Sequence, residues 1–522
     1  MSASANADNA NSRGGFFGHP KGLSTLFFTE MWERFSFYGL RPLLVLFMSA
    51  AVMQDGWGWD RGEASAIVGI YAAFVYLASL PGGWIADKLL GLRKAVLYGG
   101  SLISLGHLTI GASSFTHSKA PFFLGLIFIV LGTGLLKPNI SAMVGDLYPE
   151  GGARKDAGFS IFYMGINLGA FIGQLITGFL GEKIGWHWGF TAAGIAMILG
   201  LIQFWIQSGK TLGDIGLEPS RNPDPAVQAK QETQVKLFTG IGLAILAVVF
   251  VLVALGVITI RAEVVGTYLA YVLVGIGFVY FAYLLTLGGL DGDEKKRILV
   301  IAVLFIFAAI FWSAFEQTPT ALNLFAQDFT DRDIGSFQMP ATWFQSVNSA
   351  WIILLAPVIA ALWTSLAKRN VNLSSPVKFA IGLGFTTLAF VVMIFASYIV
   401  VGGSGVRVSP LWLISFYLLL TLGELFVSPV GLSSMTTLSP KRYVGQMMGI
   451  WFLASSVGNL IGGLVGGEVD PENLSAMPRL FTTTTMFLGG AALVLILLSI
   501  PISRMMRNRP DDLAGEGATA VT

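Results

Sequence analysis

Fourteen stretches of this chain are each long and apolar enough to cross a bilayer, and that restricts its fold more than any other feature. They lie near 23–50, 62–89, 93–114, 119–148, 156–182, 187–208, 234–259, 262–288, 295–326, 340–367, 377–401, 408–439, 441–468 and 478–505. A spanning helix needs about 20 mainly apolar residues. Inside hydrocarbon every backbone N–H and C=O must pair within the protein, so runs of this length are helices. Composition agrees: 54% of the residues are hydrophobic and only 12% charged, with mean hydropathy +0.70. Soluble domains carry roughly 25% charged residues. The fold class expected is an all-α membrane protein with 14 transmembrane helices.

Lys and Arg set the orientation. With the N-terminus inside, 22 of the 32 fall on the inner side, seven on the outer side, and Arg34, Arg41 and Lys137 within spans. Both termini are therefore expected in the cytoplasm. Residues 1–20 and 509–522 are small and polar and read as disordered tails. The longest polar stretch, 209–233, reads as a cytoplasmic linker. It separates a six-span bundle, 21–208, from an almost chargeless hairpin, 234–290, and a second six-span bundle, 291–508. Net charge is +2, so nothing points to a nucleic-acid partner. Cysteine is absent and the four histidines are scattered, so neither a metal site nor a cofactor is expected.

An internal repeat supports the two bundles. Residues 131–149 (LGTGLLKPNISAMVGDLYP) and 422–440 (LGELFVSPVGLSSMTTLSP) share Leu-Gly, then Pro, then Pro at identical spacing. Gly169 and Gly173 answer less closely to Gly458 and Gly462. Two six-span halves related this way resemble the parallel repeats of the major-facilitator fold.

Against this apolar background the ionisable residues stand out, because a charge near the bilayer centre costs about 2.5–3.5 kcal/mol on insertion scales. At about 100° per residue, Glu30, Glu33, Arg34, Tyr38 and Arg41 share one face of the first span. Two acids beside Arg34 leave a surplus carboxylate that a static intrahelical pair would not need. Lys137, just before Pro138, and Glu316 and Glu424 stand nearly alone in three other spans. Acids and bases together at membrane depth point to a proton-coupled carrier for a charged or zwitterionic solute.

Residues 30–39 match the E-x-x-E-R-F-x-Y-Y-G pattern of the proton-dependent oligopeptide transporter (POT, or PTR) family, with Phe37 in place of its first tyrosine. Residues 162–169 match the F-Y-x-x-I-N-x-G signature, with Asn167. The segment from Gly82 through Asp87 and Lys88 to Arg93 and Lys94 resembles the major-facilitator loop between spans two and three. The resemblance covers essentially residues 20–508, and its central hairpin is similar to that of bacterial members.

The resemblance implies a symporter of protons and di- or tripeptides in the bacterial inner membrane, working by alternating access. It implies proton coupling through Glu30, Glu33, Arg34 and Glu316. It implies that Arg41 and Lys137 hold the peptide carboxylate, and that Glu424, with Asn167 and Asn348, receives the amino end. Tyr38, Tyr76, Trp312 and Trp451 line the pocket. It implies that Arg41 and Glu316 pair to gate the outer side, and Asp87, with basic Lys88, Arg93 and Lys94 at the inner membrane edge, is expected to act in gating as well. Partners expected are peptide, protons and membrane lipid, with a functional monomer. The alternative is a major-facilitator carrier of nitrate, sugar or drug. An intramembrane hydrolase lacks its residues: there is no Cys nucleophile, no intramembrane His near a Ser, and no paired-Asp protease motif.

Overall fold

The computed structural model describes residues 15–506 apart from 117, 221–222, 370 and 372. Residues 1–14 and 507–522 of the expected tails lie outside the described residues. Fourteen long helices occupy the expected spans. They are α1 (Lys21–Ser49), α2 (Arg61–Leu90), α3 (Leu92–Phe115), α4 (Ala120–Asp146), α5 (Arg154–Ile184), α6 (Trp186–Thr211) and α7 (Pro225–Ala254). There follow α8 (Ala262–Leu287), α9 (Gly292–Phe329), α10 (Trp343–Lys368), α11 (Ser375–Gly402), α12 (Leu411–Leu438), α13 (Lys441–Glu468) and α14 (Ala476–Ile502). Helices α2 to α14 each hold a strongly apolar stretch with at most two charged residues, whereas α1 carries Glu30, Glu33, Arg34 and Arg41 in mid-helix.

Two local departures from expectation have clear causes. Residues 15–20, expected within a disordered tail, form a tight turn in which the His19 N–H donates to the Phe16 carbonyl at 3.0 Å. Phe16 packs on buried residues that include Leu23, Met143 and Tyr148, and the His19 ring bonds the Tyr148 hydroxyl at 2.8 Å. Helix α7 begins at Pro225, inside the expected linker. Asp224 accepts from the Ala226 N–H at 2.8 Å, and a proline in the first turn suits a helix start.

The chain divides into two compact units. One comprises residues up to Val265 together with Arg332–Ile353; the other comprises Gly266–Asp331 and Leu354 onward. In the first, α1 packs on α5 and α6, while α3 packs on α4 and α6. In the second, α9 packs on α13 and α14, while α11 packs on α12 and α14. The same pairing thus occurs in each unit, as the repeat requires.

Glycines set the closest of these approaches. A Cβ on Gly169 would lie 2.1 Å from the Met31 carbonyl oxygen, and one on Gly173 would lie 2.5 Å from that of Phe35. In the second unit a Cβ on Gly458 would lie 2.3 Å from the Trp312 Cβ, and one on Gly462 would lie 2.7 Å from the Glu316 carbonyl carbon. Small residues let membrane helices meet backbone to backbone. Each glycine pair therefore seats the stretch of α1 or α9 that carries the ionisable residues.

Candidate functional site

The charged stripe of α1 is buried and faces Tyr71 and Tyr76 of α2 and Lys137 of α4. Glu30, Glu33, Arg34 and Arg41 are 2%, 0%, 2% and 6% exposed. The Arg34 Nε lies 3.0 Å from Glu30 Oε1 and also pairs with Glu33 Oε2. Among the described residues, Glu30 Oε2 and Glu33 Oε1 have no hydrogen-bond partner. One guanidinium thus answers two buried carboxylates, and each carboxylate keeps an oxygen without a donor. A buried carboxylate with an oxygen left without a donor is costly, and binding a proton there relieves the cost.

Phe37, which departs from the family pattern, lies between the two arginines. Its ring centroid is 5.3 Å from the Arg34 Cζ and 5.7 Å from the Arg41 Cζ, and it stacks at 6.3 Å on Tyr71 of α2. These are cation–π distances. The ring therefore braces both cations on the same helix.

Lys137, half-buried on α4 beside Pro138, holds its Nζ 3.8 Å from the ring centroid of Tyr76 on α2. It is close enough to Glu30 to act on it electrostatically, and Tyr38 and Tyr76 act likewise on Arg34. The first unit therefore brings together Glu30, Glu33, Arg34, Tyr38, Arg41, Tyr76 and Lys137. It also holds Asn167, buried on α5 with its amide donating to the Tyr163 carbonyl at 3.0 Å, and Asn348, half-buried on α10. Tyr163 itself is exposed.

In the second unit Glu316 is buried on α9, just before the wider helical turn Thr318–Leu322. Trp312 and Trp451 meet edge to face at 6.4 Å, and the Trp312 indole N–H has no partner among the described residues. Glu424 is half-buried on α12, whose interior holds Pro429. Asp87 is exposed, and its carbonyl accepts from the Ser220 N–H at 2.7 Å. Its neighbour Arg93 holds the same turn, donating to the Ile215 carbonyl at 2.6 Å and to the Gly213 carbonyl. This loop therefore fastens the segment that follows α6.

Sequence reasoning missed a polar ladder between α1 and α6. Thr25 bonds Thr211 at 2.8 Å, Thr29 bonds Gln203 at 3.0 Å, and Gln203 bonds Gln207 at 2.8 Å. The signal was present: polar residues four apart at 25 and 29, and at 203, 207 and 211, each mark one helix face. Such bonds join helices where lipid supplies no hydrophobic drive.

Comparison with known proteins accords with this geometry. The family model described as the POT family matches residues 93–213 and 279–477. The chain is 49% identical over 506 residues to a peptide transporter, YePEPT, of Yersinia enterocolitica, covering 96% of this chain and 98% of that one. It is 36% identical to a di-/tripeptide transporter of Lactococcus lactis subsp. cremoris, covering 94% and 97%. A crystal structure of a mutant of the peptide transporter POT with alafosfalin superposes with TM-score 0.85 at 38% identity, covering 95% and 98%. A POT family transporter in complex with 5-aminolevulinic acid gives 0.84 at 34%, covering 94% and 98%. The paired six-helix arrangement is thus of the major-facilitator type, and the chain belongs to the POT family.

Proposed function

We propose that this protein is a proton-coupled symporter that carries di- and tripeptides into the bacterial cytoplasm across the inner membrane by alternating access. One observation carries the reading: two buried carboxylates, Glu30 and Glu33, share the single guanidinium of Arg34 and keep oxygens that a proton can occupy. A proton on either carboxylate would leave the guanidinium to the other. The names of the relatives, peptide and di-/tripeptide transporters, support the substrate class.

In this reading Glu30, Glu33, Arg34 and Glu316 carry the proton coupling. Arg41 and Lys137 take the peptide carboxylate, while Glu424, Asn167 and Asn348 take the ammonium. Every short peptide carries those two opposite charges, so such a set binds without reading side chains. Tyr38, Tyr76, Trp312 and Trp451 supply apolar walls with polar tips. Arg41, Glu316 and Asp87 serve in gating. The termini face the cytoplasm, and the monomer in its lipid is the working unit.

The test is uptake of labelled dialanine into liposomes, with and without an inward proton gradient. Accumulation above equilibrium only with the gradient is the expected result. Uptake that ignores the gradient, or no competition by other dipeptides, would refute the proposal and favour a carrier of nitrate, sugar or drug.

A further inference from the structure

The first turn of α10 is capped by a residue of another helix. Glu182 lies near the end of α5, where the last turn, Leu180–Ile184, widens. Its Oε2 accepts from the Ala341 N–H at 2.8 Å, and its Oε1 accepts from the Thr342 N–H at 2.9 Å and the Thr342 hydroxyl at 2.7 Å. Arg332 stands 3.5 Å away, and both side chains are almost wholly buried, at 4% for Arg332 and 6% for Glu182. The Arg332 guanidinium also donates to the Met339 carbonyl at 2.7 Å. Beside this cluster the Trp343 indole donates to the Leu175 carbonyl at 2.9 Å. A Cβ on Gly178 would lie 2.0 Å from the Thr342 hydroxyl.

Helix N-termini leave N–H groups without intrahelical partners and carry partial positive charge, so a carboxylate there is bound strongly. Such a cap ordinarily comes from the residue preceding the helix. Here it comes from α5. The capped end, Arg332–Ile353, belongs to the first unit, and α10 passes into the second at Leu354. Pro357 lies just beyond that point, inside the helix. Proline has no N–H, so the Ile353 carbonyl loses its helical partner and the helix is weakened there.

The pattern recurs among the described residues. Glu63, near the start of α2, accepts from the Ala262 N–H at 2.6 Å and the Glu263 N–H at 3.4 Å at the start of α8. That helix likewise begins in the first unit and continues in the second from Gly266.

We propose that Glu182 is a latch. By capping α10 it fixes the outer third of that helix to α5, and its release lets α10 flex at Pro357 as the transporter opens toward the outside. This inference rests on the alternating-access reading above, and its test separates the two.

The chain has no cysteine, so an introduced thiol is the only one present. Ala341, fully buried beside Glu182, is replaced by cysteine and labelled in proteoliposomes with a membrane-impermeant maleimide. Ser346→Cys, five residues further along and also buried, serves as a second reporter should Ala341→Cys not fold. Glu182→Gln is expected to raise the labelling rate about tenfold, which corresponds to about 1.4 kcal/mol. Adding Pro357→Ala, which stiffens the helix, should return the rate toward that of the parent. Labelling within twofold of the parent in Glu182→Gln, at both reporters, overturns the latch. If instead labelling rises in Glu182→Gln yet ignores dialanine and pH in the parent, the latch stands and the symport reading fails.

Discussion

Gly173 and Gly462 set the seating of the two helices that carry the proposed proton sites, and each replaced by alanine tests that geometry quantitatively. The added Cβ of Gly173→Ala would stand 2.5 Å from the Phe35 oxygen, where ordinary contact begins near 3.4 Å, so α1 must retreat by about 0.9 Å. For Gly462→Ala the distance is 2.7 Å to the Glu316 carbonyl carbon, and a retreat of about 0.7 Å follows. Both obstacles are backbone, so no side-chain rotation relieves them. Overpacking of this kind costs about 1–3 kcal/mol. Against it stands the gain of about 1 kcal/mol from replacing a helical glycine by alanine. The net effect is a loss of about 0–2 kcal/mol. Gly384→Ala is the control, because nothing lies within 4 Å of its Cβ and only the gain remains. The two sets should therefore separate by about 1–3 kcal/mol. Thermal unfolding in detergent measures this: Gly384→Ala should melt at or above the parent, and the other two clearly below the control. Gradient-driven dialanine uptake should fall in Gly173→Ala, because Phe35 adjoins Arg34. Equal melting of all three variants would refute the claim that these glycines hold α5 on α1 and α13 on α9.

Further outcomes follow from the same coordinates. Glu33→Gln and Glu30→Gln should each abolish uptake against a gradient while peptide counterflow, which needs no net proton movement, survives; full accumulation by both variants would remove them from coupling. Lys137→Ala and Arg41→Ala should weaken binding of dialanine about tenfold or more, and a dipeptide amidated at its C-terminus should compete poorly with the parent; equal competition by free and amidated peptides rules out the carboxylate site. Burial raises the Tyr148 phenol above its ordinary value of 10.0, with Glu150 adding to the rise and Arg154 opposing it. Its contribution to stability is thus fully present below pH 10 and is lost as pH climbs through the raised value. Tyr148→Phe should lower the melting temperature at neutral pH by the loss of the His19 bond, worth about 1 kcal/mol. It should also flatten the fall in melting temperature above pH 10.

Hydrophobicity and covalent order alone determined the fourteen helices, because a backbone in lipid has no alternative to pairing with itself. The repeat of Leu131, Gly132, Pro138 and Pro149 in Leu422, Gly423, Pro429 and Pro440 was likewise legible, since a duplicated packing surface keeps its glycines and prolines in register. The stripe of Glu30, Glu33, Arg34 and Arg41 was readable as well: helical periodicity puts them on one face, and their charge makes a lipid-facing position untenable.

Only the tertiary structure decided which neighbours those residues meet. Nothing in Phe37 as a letter says that its ring braces two arginines; that depends on α2 bringing Tyr71 behind it. In sequence Glu182 closes the expected span 156–182 and Arg332 lies in an outer loop 150 residues away. Folding buries both and turns the carboxylate into the cap of a helix it does not precede. Helix ends expose their N–H groups to whatever the packing delivers, and sequence spacing carries no information about a partner delivered from another helix.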